Sequence, residues 1–209
     1  MTTREVVKAV LVGMAALAAF SCSYSQAPVV GQQSKSPPPS GLGTLAVQAQ
    51  DLPNTVICIQ SGQPADFLRQ SSASSDRQSI QEEVDRIKPA GKVDAWVQVL
   101  APTQTDCVAL LNGSSGYTEP VATNFLARFR DESAARSAFA NGFGALRPGG
   151  VDVVSGASTG LGPDSLAKPL AKGWTAFWRK GAYLSFIAAD GVSADQARQA
   201  AVAIDSRLH

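Results

Sequence analysis

The stretch with the clearest chemical pattern in this 209-residue sequence is Gly156-Ala157-Ser158-Thr159-Gly160. It matches the GxSxG spacing in which a sharp strand-to-helix turn presents a nucleophilic serine. Asp164, Asp190 and His209 follow in the order serine, aspartate, histidine. A small serine hydrolase using Ser158 and His209 is therefore one reading, and two features oppose it. The elbow needs a helix directly after the serine to supply an oxyanion site, yet Gly162-Pro163 breaks the chain there. His209 is the last residue of the sequence, where fraying makes an imidazole hard to hold to hydrogen-bond tolerance. The bland alternative is a Gly and Ser turn between strands. Ser165 and Lys168 repeat the S-x-x-K spacing, but in a stretch read as a loop ending at Pro169 and without the companion S-D-N and K-T-G boxes.

Other chemistries find less support. A metal site wants several His, Cys or carboxylate ligands converging, whereas the chain has one histidine and three cysteines. Glu82-Glu83 reads as a solvated helix face and Asp131-Glu132 as a helix start, and neither pair has a neighbour that would tune it for acid-base work. Gly160-Leu161-Gly162 lacks the third glycine and the following helix of a dinucleotide fingerprint. The expectation is a protein that is not an enzyme, with no catalytic residues, no metal and no cofactor.

Aromatic residues point instead to binding. Trp174, Ala176 and Trp178 share one face of an extended segment, and Thr175, Phe177 and Arg179 share the other. If the face of Phe177 is the core, Trp174 and Trp178 are left for a ligand or partner, and Trp96 joins them as a binding candidate. If the tryptophans are the core, they are packing residues.

The elements that would position these residues read as a mixed α and β chain. Thr55 to Ile59 is a short strand, Pro64 opens a helical turn, and Ile80, Val84 and Ile87 form one helical stripe that ends at Pro89 and Gly91. Val93 to Val99 alternates as a half-buried strand, Cys107 to Leu111 is a second strand, and Val121 to Phe129 is a third. Asp131 caps a helix whose stripe is Ala134, Ala135, Ala138 and Phe139. A strand at Val151 to Val154 follows. Trp174 to Arg179 and Tyr183 to Ala188 then make a hairpin joined at Lys180-Gly181. Ser193 with Gln196 is a capping box for a last helix that lays Ala197, Ala201, Ile204 and Leu208 on one face.

The halves read alike, which admits an internal duplication of a helix plus three strands. Lys88 to Asp94 parallels Arg147 to Asp152, and the same register sets Asp106 to Ala109 on Asp164 to Ala167 and Phe125-Leu126 on Tyr183-Leu184. Sparse identity leaves ordinary strand and turn chemistry as the competing explanation.

Residues 1–22 have the layout of an export signal. Arg4 and Lys8 precede an uncharged apolar run, Ala9 to Phe20, which is well short of the roughly 20 residues that cross a bilayer. Ser21 and Cys22 fit a lipoprotein-type signal in which Cys22 is lipidated, although Ala19 and Phe20 depart from the usual leucine and small residue. Cleavage near Ser25 or Ala27 is the alternative. Lipid on Cys22 would remove the odd thiol and leave Cys58 and Cys107 to pair in an oxidising compartment; two separate buried thiols are the other outcome. Residues 23–50, rich in Ser, Gln, Gly and Pro, read as a disordered tether with an end-to-end distance of about 30 Å, and 51–209 as a single α+β domain. A formal net charge of +1 gives no basic field for nucleic acid.

Cys58 before Ser61-Gly62, the strand and helix from Phe125 to Phe139, the turn Thr159 to Ser165 and the closing hairpin and helix from Trp178 to Leu208 resemble a group of uncharacterised bacterial envelope lipoproteins. More distantly, the order of elements is similar to PsbP and Mog1-like domains and to extracellular sensor domains of receptor kinases. The resemblance implies an α+β fold and a non-enzymatic binding, sensing or accessory role, and it brings no catalytic residues. The expected fold is a mainly antiparallel sheet covered by helices. The expected partners are the cell membrane, reached through the lipid anchor, and an unknown small molecule, lipid or envelope protein. A structural or assembly role, with the tryptophan hairpin as an oligomer edge, is the remaining alternative.

Overall fold

The structure is a computed structural model and describes residues 41–61, 81–82, 85–86, 91–111, 121–144 and 146–209. Its centre is a seven-stranded antiparallel sheet: β1 (Val56–Ser61), β2 (Lys92–Ala101), β3 (Val121–Phe129), β4 (Val154–Ser155), β5 (Ser165–Leu170), β6 (Gly173–Lys180) and β7 (Tyr183–Asp190), in the order β1-β2-β3-β7-β6-β5-β4. Four described helices accompany it: α1 (Leu42–Leu45), α2 (Gln104–Leu111), α3 (Glu132–Ala140) and α4 (Ala194–Arg207). The fold is α+β, as the pattern of elements predicts.

Residue alternation assigns the helices to faces. Val97, Phe125, Phe186 and Phe177 are cross-strand partners in one row and pack with Ala134, Ala135 and Ala138 of α3 and Leu110 of α2. The intervening residues Leu100, Leu126, Ile187, Trp174, Ala176 and Trp178 pack on the opposite face with Ala197, Ala200, Ala201 and Ile204 of α4, and with Leu42 and Val47 near α1. Small residues on α3 and α4 let each helix axis approach the sheet closely. On the first face four rings, Phe125, Phe139, Phe143 and Phe177, stack with centroids 5.2 to 5.5 Å apart.

This double covering corrects the expectation that one side of the hairpin faces outward. Trp174 is 2 % exposed and Trp178 0 %, so both are core residues and neither presents a surface to a ligand. The physical reason is legible in β6 and β7, whose near-continuous apolar runs befit strands buried on both sides. At the hairpin, Gly181 has φ 54°, the only positive φ of the two turn residues, as a type II′ turn requires.

Other expectations are met or revised element by element. The strands at 93–99 and 121–129, the Asp131 cap, the hairpin and the Ser193–Gln196 capping box are present, with Asp131 Oδ1 accepting from the Ala134 N–H at 2.7 Å. Cys107 to Leu111 is helical, not a strand, because Thr103 caps it: its Oγ1 accepts the Asp106 N–H at 3.2 Å and donates to Asp106 Oδ2 at 2.6 Å. The stretch read as a loop before Pro169 is β5, and the strand at 151–154 is reduced to Val154–Ser155. The register proposed for a duplication sets α2 against β5, a helix against a strand. Moreover, α3 and α4 lie on opposite faces, whereas a twofold axis between β3 and β7 would place them on the same one. Residues 81–82 and 85–86 are helical, while Ile80, Val84 and Ile87, like the helical turn after Pro64 and residues 1–40, lie outside the described residues.

The folded part also begins earlier than Asp51. Leu42, Ala46 and Val47 are buried, and residues 41–52 form a strap across β2 and β3. The segment expected to be tether up to residue 50 is therefore part of the domain from Gly41 onward.

Candidate binding face

The strap is held by two side chains that reach it from far along the chain. Arg207, at the end of α4, donates from Nη2 to the Ala46 carbonyl at 2.9 Å and from Nε to the Leu45 carbonyl at 3.3 Å. It also pairs with Asp51, Nη2 to Oδ2, at 2.6 Å. The planar guanidinium fork suits this arrangement, since it fixes several oxygens at once. Asp51 Oδ2 also accepts the Gln48 N–H at 2.7 Å, which closes the strap into a turn. From the sheet, buried Asn124 accepts the Val47 N–H at 3.0 Å and donates to the Phe186 carbonyl at 2.8 Å.

Beneath the strap the face is polar where a core is usually apolar. Gln98 of β2 is the cross-strand partner of Asn124, and Ser185 of β7 lies 3.4 Å from Asn124 Nδ2; all three are fully buried. Gln98 Oε1 accepts the indole N–H of Trp96 at 3.4 Å. That bond fixes the amide orientation, because the flipped amide would set two donors against each other. Among the described residues Gln98 Nε2 is then buried with no partner, as is Trp178 Nε1. Trp96 and Tyr183 are each partly buried and pack against the apolar cluster of this face, while Arg128, on the same face, is exposed. Of the three tryptophans expected to bind, Trp96 alone retains an accessible surface.

The serine turn is built for structure. Residues Gly156–Thr159 form a short 3-10 helix that ends at Gly160. No α-helix follows the serine, so the elbow geometry is not formed. Ser158 is exposed and donates to the Ser155 carbonyl at 2.7 Å. Thr159 Oγ1 accepts the Leu161 N–H at 3.0 Å and lies 2.6 Å from Ser165 Oγ, which donates to the Gly162 carbonyl at 2.6 Å. Asp164 pairs with the largely buried Arg179, Nε to Oδ2 at 2.7 Å. Three residues apart on β5, Ser165 and Lys168 face opposite sides of the sheet, with Ser165 buried and Lys168 Nζ donating to the Val151 carbonyl at 3.1 Å.

Cys58 and Cys107 form a disulfide, S–S 2.06 Å, that ties β1 to α2. The register of β1 against β2 slips between Ile57 and Ile59, so the bulge falls at Cys58 itself. Among the described residues no group of three or more His, Cys, Asp or Glu side chains comes together to hold a metal, and no helix is long and apolar enough to cross a membrane.

No protein-family model matches the chain, and no match is found among curated proteins or solved structures.

Proposed function

We propose that this chain is an exported, lipid-anchored envelope protein whose folded part binds a ligand or partner and catalyses no reaction. Cysteine usage carries the reading. Cys22 follows a charged start and an uncharged apolar run, as in a lipoprotein signal, and the other two cysteines are joined. The disulfide supports export, since such bonds persist in oxidising compartments and are rare in the cytosol. The serine turn, spent on backbone hydrogen bonds, supports a non-enzymatic role, and the half-buried Trp96 beside buried polar groups supports binding. The sensor-like and envelope-lipoprotein resemblances of the sequence agree with this reading.

The test is metabolic labelling with palmitate in a bacterial host. The expected result is a labelled, membrane-fractionating product whose Cys22→Ser variant loses both the label and the membrane association. A soluble intracellular product that retains its start methionine and all thiols free overturns the proposal.

A further inference from the structure

We infer that the strap, residues 41–52, is exchangeable between two copies of this chain, so that each copy's sheet takes the strap of the other and a reciprocal dimer forms. The inference goes beyond the binding role proposed above and does not depend on export or lipidation. What the rest of the domain grips in the strap is mostly backbone. Asn124 accepts the Val47 N–H, Arg207 donates to the carbonyls of Leu45 and Ala46, and Asp51 is held by its side chain. These partners belong to β3 and α4, 77 to 162 positions further along the chain. Nothing in the contacts requires strap and sheet to come from one molecule. Other polar bonds of the strap are internal and travel with it: Gln48 Nε2 donates to the carbonyls of Gly43 and Ala46, and Asp51 Oδ2 accepts the Gln48 N–H. The strap of a second copy has the same sequence, so its fit to this face is the fit seen within one chain.

The joint between strap and sheet favours the exchange. Leu52, the buried end of the strap, and Val56, the first residue of β1, are joined by residues 53–55, of which Pro53 and Asn54 are exposed. Asn54 has φ 63°, a left-handed backbone that a residue with a side chain adopts at a cost. Pro53 biases Leu52 before it toward extended backbone, which works against a tight turn. The turn is closed by the Thr55 hydroxyl, which donates to the Leu52 carbonyl at 2.7 Å. In an exchanged pair this hinge opens, its left-handed residue relaxes, and the grip of Asn124 and Arg207 on the strap is remade with the other copy. Closed monomer and exchanged dimer then differ in the two hinges and in the entropy of association, so concentration and hinge sequence set the balance.

The experiment mixes two charge-reversed variants of the full chain carrying Cys22→Ser. Arg207→Glu sets two carboxylates against each other, and Asp51→Lys sets two cations against each other, whether the strap closes within its own copy or within a pair of like copies. A mixed pair that exchanges straps restores opposite charges at both sites. After equal amounts are refolded together, light scattering and native mass spectrometry are expected to find the mixed dimer in excess of either like dimer by about tenfold or more. A variant that fails to fold alone is rescued by its counterpart through the same exchange. A dimer built on any other surface, the apolar N-terminal run included, is indifferent to this pairing, so a statistical mixture of dimers overturns the inference. A mixture that stays monomeric overturns it as well. The hinge supplies a second measurement that leaves Arg207 and Asp51 in place. Asn54→Gly adopts the left-handed backbone freely and Asn54→Val resists it, so the valine variant is expected to have the lower dimer dissociation constant by about tenfold or more, since each dimer relaxes two hinges. Equal dimer stability in these two variants overturns the inference.

Discussion

Arg207 shows how much of this molecule turns on one side chain. It is 25 % exposed at the side chain, while its partner Asp51 is 6 % exposed, so removing the cation strands a nearly buried carboxylate. Hydrogen bonds to charged groups contribute about 1.5 to 3 kcal/mol each when broken singly. Arg207→Met, which keeps much of the apolar stem, is expected to lower stability by about 2 kcal/mol and to collapse hydrogen-exchange protection at the Val47 amide. Urea unfolding and exchange measured by mass spectrometry check both, and unchanged protection at Val47 would show that Asn124 alone holds the strap. Nothing in the sequence marks Arg207 as more than a helix-end cation, because its partners lie 156 to 162 positions away. Gln98 was equally hidden, sitting among the polar alternates of a strand whose two faces are both covered. Trp96 was visible as an aromatic residue, but sequence alone cannot separate it from Trp174 and Trp178.

At the scale of elements, periodicity worked where an element is long or carries its own cap. β2 has sustained alternation, the hairpin β6–β7 has two long apolar runs around a glycine turn, and helices α3 and α4 have an Asp or Ser cap. α2 was misread because Cys107 to Leu111 is a short apolar run that fits either state, and the deciding signal, Thr103 three residues before Asp106, stands outside it. β5 was missed because Pro169 argues against a strand. β4 pairs only with Leu166 and Ala167, however, so Pro169 lies where β5 has a strand on one side alone and a missing N–H is tolerated. The disulfide is the strongest link between elements on the α2 side. Closing a loop of 49 positions should stabilise the fold by about 4 kcal/mol through loss of unfolded-state entropy. The paired change Cys58→Ser with Cys107→Ser is expected to lower the unfolding free energy by that order, measured in urea, and an unaltered midpoint would remove the bond from any structural role.

For the whole molecule, α+β with an antiparallel sheet under helices was legible, and the boundary of the folded part was not. Residues 41–52 share the glycine and glutamine content of the preceding stretch, which hides Leu42, Leu45, Val47 and Leu52. Their burial depends on a surface built by β2, β3 and α4, so no local pattern reveals it. A chain beginning at Asp51 loses the burial of Leu42 and Val47, about 2 kcal/mol each, and uncovers Leu100 and Leu126. It is expected to unfold at lower urea concentration and to bind an apolar dye, while a chain beginning at Gly41 does neither. Equal midpoints for the two would make the strap dispensable.

The strap also dictates when folding can finish. Ala46 leaves the ribosome 161 positions ahead of Arg207, which grips it, and the central strands β3 and β7 pair segments about sixty positions apart. Such distant closures carry a loop-entropy cost before any contact repays it. A nascent chain of this design stays open until α4 has been made, which would suit the passage through a narrow export channel that the proposed function requires.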